Sequence, residues 1–145
     1  MKLAMLSDLL RDDITLSDLY RIYKEAEEEE EDVPLEKRVS ILLYNLALPS
    51  SYKGYTYLKE AILMLCDDDI NYKTFTKSIY PSIAEKHNST PQNIEKNIRF
   101  AIKKIYESNT PEELERHLGK NAIASANPTN VKFITFCAEK LRLER

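Results

Sequence analysis

Only two glycines, Gly54 and Gly119, interrupt 145 residues, and this scarcity limits the possible folds more than any motif does. Tight turns between strands are built largely from glycine and its turn-forming companions, so a chain this poor in glycine has few places to make hairpins. Apolar residues recur instead at spacings of three and four, the period of a helix with one buried face. No pair of segments shows the alternation of paired strands. The expected class is all-α, a multi-helix bundle of about six helices. A chain of this length buries roughly two thirds of its unfolded surface, enough for one compact domain and an appendage.

Charge divides the chain unevenly. The net charge is −3, but residues 1–32 hold eleven acids and four bases, a balance of −7 that leaves +4 for the remainder. The overall acidity therefore does not argue against a polyanionic partner. Residues 1–34 read as an acidic N-terminal helical extension, and residues 35–145 as the folded domain. In the extension, Leu16, Leu19, Tyr20 and Tyr23 make a short apolar face that Thr15 or Ser17 caps. The run Glu27 to Glu31 is either a solvated helix end or linker, or a charged interaction tail.

Within the domain, successive helices are marked by Leu35, Val39, Leu42, Leu43 and Leu46, then by Tyr57, Leu58, Ala61, Ile62 and Leu65. Residues 73–87 carry Phe75, Ile79, Ile83 and Ala84, with Pro81 expected to reset the helix or start a short one. The next helix, about residues 90–106, is better signalled. Thr90 is placed to cap it, and Pro91 takes the first position, where a missing N–H costs nothing. Ile94, Ile98, Ala101, Ile102 and Ile105 form one stripe, while Gln92, Lys96, Arg99 and Lys103 form another. Two stripes imply two partners, a core and something polar. Asn88 suits the left-handed conformation of a tight interhelix turn, so residues 73–106 read as a helix-turn-helix. That pattern alone is common in helical bundles.

Other chemistry finds little footing. Cys66 and Cys137 sit in apolar helical stretches without a C-x-x-C spacing, as buried thiols of a reducing cytosol do. The opening "MKLAMLSDLL" meets Asp8 too early for a signal peptide, and no apolar run approaches membrane-spanning length. A cytoplasmic, nucleoid-associated protein without a membrane partner is expected. Asp67 to Asp69 lack the glycine and terminal glutamate of a calcium loop. No phosphate-cradling loop, nucleophile elbow or metal-ligand spacing occurs, so neither an enzyme nor a cofactor or metal site is expected. His87 beside the turn reads as a solvated or capping histidine, with a phosphate contact as the alternative.

The stretches "KGYTYLKEAI" (53–62), "KSIYPSIAEKHNSTPQNIEKNIRFAI" (77–102) and "NPTNVKFITFCAEKLRLE" (127–144) carry a resemblance. From about Leu35 to Glu144 the chain resembles the C-terminal DNA-binding domain of the sporulation stage-zero master response regulators of spore-forming Firmicutes. The resemblance implies a six-helix domain whose helix-turn-helix enters the major groove of double-stranded DNA at sites of the TGTCGAA type, with domains in tandem on paired sites. It places Gln92, Asn93, Glu95 and Lys96 toward the bases, with Arg99 and Lys103 further along and Ser89 and Thr90 at the helix start. It also implies an approach of RNA polymerase sigma factor near residues 107–120, and a homodimer or tandem pair on DNA.

The departures are as informative. Where the family has arginines, this chain has Asn93 and Lys96, and where it has a histidine, Phe100. Lysine lacks the planar two-donor fork of arginine, and asparagine lacks charge. Each good bidentate base contact discriminates by about 1–3 kcal/mol, so an altered site is expected, shifted from guanine toward adenine at Asn93. Residues 1–34 are too few for the family's receiver domain. The alternative function is a receiver-less decoy or protein-interaction module that pairs with a related full-length regulator.

Overall fold

A computed structural model describes residues 13–31, 33–67, 70–124 and 127–144. Among them are seven α-helices, one 3-10 turn and no strand. Two compact units emerge, residues 1–34 and residues 35–145.

In the first unit, α1 (Leu16–Glu31) starts from a reciprocal cap. The Asp18 N–H donates to Thr15 Oγ1 and the Thr15 N–H donates to the Asp18 carboxylate, both at 3.1 Å. Two otherwise orphaned donors are thereby satisfied, so Thr15 rather than Ser17 is the cap. The helix continues through the glutamates to Glu31. Its expected apolar face is not a buried one. Leu16 is 85% exposed, Tyr20 and Tyr23 are each 64% exposed, and Ile22 is the buried residue. Tyrosine tolerates water at its ring edge and hydroxyl, and this face stays open to solvent.

The second unit contains α2 (Leu35–Asn45), α3 (Lys53–Leu65), α4 (Tyr72–Lys86), α5 (Pro91–Ser108), α6 (Pro111–Leu118), a 3-10 turn (Lys120–Ala122) and α7 (Asn130–Leu143). Helix α3 is the hub and packs against α2, α4, α5 and α7. Its Leu58, Ala61 and Ile62 meet a core that includes Val39, Leu43, Phe75, Ile79, Phe133, Ile134 and Cys137, all without solvent exposure. Each fully buried large aliphatic or aromatic side chain here contributes about 1.5–3 kcal/mol. Both cysteines are buried thiols, and burial pushes the Cys137 thiol far above its ordinary value.

Pro81 does not break its helix. Helix α4 runs from Tyr72 to Lys86 with the proline inside. A proline removes one backbone donor and costs about 3 kcal/mol in a helix interior. The buried Phe75 and Ile79 before it and Ile83 and Ala84 after it share one face, and their burial together outweighs that cost. Helix α2 ends in a turn of another unfavourable kind. Ala47 has φ 62°, with Leu48 N–H bonded to the Leu43 carbonyl and Ala47 N–H to the Tyr44 carbonyl, the double closure in which glycine is usual. Two arginines tie helix ends together across the core: Arg38 donates to the Leu141 carbonyl at 2.6 Å and Arg142 to the Leu65 carbonyl at 2.7 Å.

Candidate nucleic-acid interface

Helices α4 and α5 are joined by four residues, and the N–H groups of the first three bond back to carbonyls of α4. The Ser89 N–H donates to the Ala84 carbonyl at 2.9 Å and the Asn88 N–H to the Glu85 carbonyl at 3.4 Å. Asn88 has φ 52°, the left-handed conformation that its sequence position suggested. Thr90 then opens α5, its Oγ1 accepting from the Asn93 N–H at 3.1 Å, with Pro91 at the first position. His87 is the C-cap residue of α4, half-buried, and its ring has partners of its own. Its Nε2 lies 2.8 and 2.9 Å from the two Glu60 carboxylate oxygens, and its ring meets Tyr57 edge-on at 5.1 Å.

The inner side of α5 is sealed. Ile94, Ile98, Ala101 and Ile105 have no solvent exposure, and Ile102 has 4%. The helix is also held through its main chain. Gly54, in the first turn of α3, approaches so closely that a Cβ there would lie 2.3 Å from the Asn97 carbonyl oxygen and 2.9 Å from the Ala101 Cβ. Buried Asn130, at the start of α7, donates through Nδ2 to the Tyr80 hydroxyl at 3.0 Å and to the Glu95 carbonyl at 3.1 Å. That one amide links α4, α5 and α7. Burial raises the pKa of the Tyr80 hydroxyl, which keeps it protonated across the neutral range.

The outer side of α5 faces solvent. Gln92, Asn93, Lys96, Arg99 and Lys103 are exposed, and so is Thr90, while Glu95 and Ser89 are half-buried. Asn93, Lys96, Asn97, Arg99, Phe100 and Lys103 line one shallow concavity. These groups are not equally available. Asn93 donates through Nδ2 to Ser89 Oγ at 2.9 Å, and its Oδ1 accepts from Asn97 Nδ2 at 3.1 Å, so both halves of its amide are occupied. Arg99 lies 2.7 Å from the Glu95 carboxylate, and Lys103 lies 3.9 Å from Glu107. Such exposed i,i+4 pairs are worth only about 0.3–0.5 kcal/mol and yield readily to a phosphate. Gln92 and Lys96 have no hydrogen bond or ion pair to another described residue and project unencumbered.

One comparison decides the family. The family described as "Sporulation initiation factor Spo0A C terminal" matches residues 39–141. The chain belongs to this family. Its members are DNA-binding effector domains of a sporulation regulator, concerned with transcription, and the family is not one of enzymes. The all-helical second unit agrees with it. No described helix is long and apolar enough to cross a membrane.

Three residues that shape or support this surface escaped the sequence reading of the site. Asn97 locks Asn93, and its only signal was its position four residues on. Tyr52, which has no side-chain cap role at the start of α3, sits 6.1 Å from the Phe100 ring. Asn130 stood out more clearly, being the one polar residue in register with Phe133, Ile134, Cys137 and Leu141 on the buried side of α7.

Proposed function

We propose that the chain is a sequence-specific regulator that binds double-stranded DNA with α5 in the major groove. Gln92 and Lys96 approach base edges, with Asn93 and Glu95 beside them once their internal bonds are exchanged. Arg99 and Lys103 meet phosphates or guanine, and Ser89 and Thr90 contact the backbone where the helix N-terminus favours an anion. The observation that carries this function is the two-sidedness of α5, whose isoleucines are fully buried while Gln92, Lys96, Arg99 and Lys103 stay open to solvent. Residues 35–145 are the binding domain, and residues 1–34 an acidic extension. The protein acts in the cytoplasm, at the nucleoid, singly or as a tandem pair. The acidic helix α6, with Glu112 exposed, is a candidate contact for RNA polymerase sigma factor.

The test is a titration into labelled duplex at several salt concentrations, together with selection from random duplexes. Log affinity falls with log salt by about 0.9 per phosphate neutralised, and the selected site differs from the family's at the positions facing Asn93 and Lys96. Flat salt dependence and no selected site would exclude DNA reading. A second function, pairing with a related full-length regulator, is favoured by one feature, the exposure of Leu16, Tyr20 and Tyr23 on α1. Sedimentation of mixtures of the two proteins tests it, with no joint species as the negative result.

A further inference from the structure

We propose that Phe100 reads the 5-methyl group of a thymine in the major groove, giving this protein an apolar element of site recognition. The proposal rests on the DNA-binding function above and names one of its specificity-determining contacts. Phe100 is 60% exposed on the outer side of α5. At about 100° per residue, its direction falls between those of Lys96 and Asn93, on the arc opposite the buried isoleucines. It stands one turn beyond Lys96 and one turn before Lys103.

The ring is braced. Tyr52 lies against it with centroids 6.1 Å apart and planes inclined at 52°, so one side is supported while the rest borders the concavity lined by Asn93, Lys96, Asn97, Arg99 and Lys103. The neighbouring Ala101 is wholly buried, and the Asn97 carbonyl abuts Gly54, so the backbone carrying Phe100 has a fixed height above the core. An apolar ring among Lys96, Arg99 and Lys103 is poorly matched to an apolar protein surface, because covering the ring would desolvate the Lys96 ammonium and the Arg99–Glu95 and Lys103–Glu107 pairs beside it. DNA satisfies both parts. Phosphates meet the cations, and the thymine methyl is the one apolar group on the major-groove base edges.

The experiment uses the full chain and a duplex that it selects from random sequence. Each thymine is replaced in turn by deoxyuridine, which deletes one methyl and leaves every hydrogen-bonding group in place. Wild type is expected to lose about fourfold in affinity at one or two positions, the worth of one buried methyl. Phe100→Ala binds the parent duplex more weakly and shows no further loss at those positions, whereas Phe100→Leu keeps the sensitivity. Because the ring is exposed, both variants retain wild-type helicity and melting. The proposal is overturned if wild type is indifferent to every methyl, if Phe100→Ala is as methyl-sensitive as wild type, or if the selected site requires no thymine. In each of those cases salt-dependent binding to the selected duplex leaves the DNA-binding function standing. Failure to select any duplex removes both.

Discussion

Replacing Gly54 by alanine tests how α5 is seated. The new Cβ would lie 2.3 Å from the Asn97 carbonyl oxygen, which is backbone and has no rotamer to escape into. Ordinary carbon–oxygen approaches are about 3.3 Å, so α5 must recede by about 1 Å or α3 must tilt. Overpacking of this sort costs about 1–3 kcal/mol. The better helix propensity of alanine offsets at most about 1 kcal/mol, and less in a first turn. A net loss of about 1–2 kcal/mol lowers the melting temperature of a unit this size by roughly 4–9 °C, measured by the loss of helical circular dichroism. Duplex affinity, measured well below melting, falls as well, since the base-facing side chains ride on the displaced helix. Gly119→Ala separates the two effects. Nothing lies within 4 Å of its added Cβ, but φ 89° and ψ 174° belong to a region reserved for glycine. That variant loses about 1–3 kcal/mol through backbone strain and leaves affinity unchanged. If Gly54→Ala melts at or above wild type, close backbone approach does not position α5.

Ala47→Gly is expected to stabilise by about 1 kcal/mol, because Ala47 occupies the left-handed region at φ 62°; an unchanged or lower denaturant midpoint contradicts this. Asn130→Ala leaves the Tyr80 hydroxyl and the Glu95 carbonyl without their buried donor and costs about 1–3 kcal/mol, whereas a loss below a few tenths would mean that water replaces the amide. Burial raises the Tyr106 hydroxyl to about 12, while its oxygen donates to the Ala122 carbonyl at 2.9 Å. The neutral form is thus favoured in the folded state. Its contribution is complete below the unfolded value near 10 and is lost as pH rises from there toward about 12. Urea midpoints of wild type should fall more steeply than those of Tyr106→Phe over that interval, and parallel curves would rule the effect out. Deleting residues 1–32, which carry a charge of −7, should tighten duplex binding at low salt if the acids shield the domain; equal affinity would refute shielding.

Periodic features and those set by local stereochemistry were legible in the sequence. The apolar stripe of α5 could be read because five residues at helical spacing admit one inner side, and all five are buried. The cap at Thr90, the proline at Pro91 and the left-handed Asn88 depend on chain geometry within a few residues. Pro81 was misread because local propensity was weighed without the burial that four apolar residues on one face supply. Whether the apolar face of α1 is covered was not legible, because tyrosine serves either environment; it is exposed. Gly54 against Asn97, and Asn130 against Glu95, join residues about 40 and 35 positions apart, and no local rule registers such encounters. The internal commitments of Asn93 and Arg99 were also invisible, since spacing shows that two side chains are neighbours and not which atoms bond.

Helix α5 is gripped through atoms that every amino acid possesses. The Asn130 amide holds the carbonyl of Glu95, and Gly54 abuts the carbonyl of Asn97; the isoleucine underside and Tyr106, whose hydroxyl bonds the Ala122 carbonyl, depend on side-chain identity. Residues 92, 93, 96, 99, 100 and 103 can therefore be exchanged without loosening the mount. In evolutionary terms the reading head is interchangeable on a constant handle, so target preference can drift by single substitutions while the scaffold stays under an unrelated, purely architectural constraint.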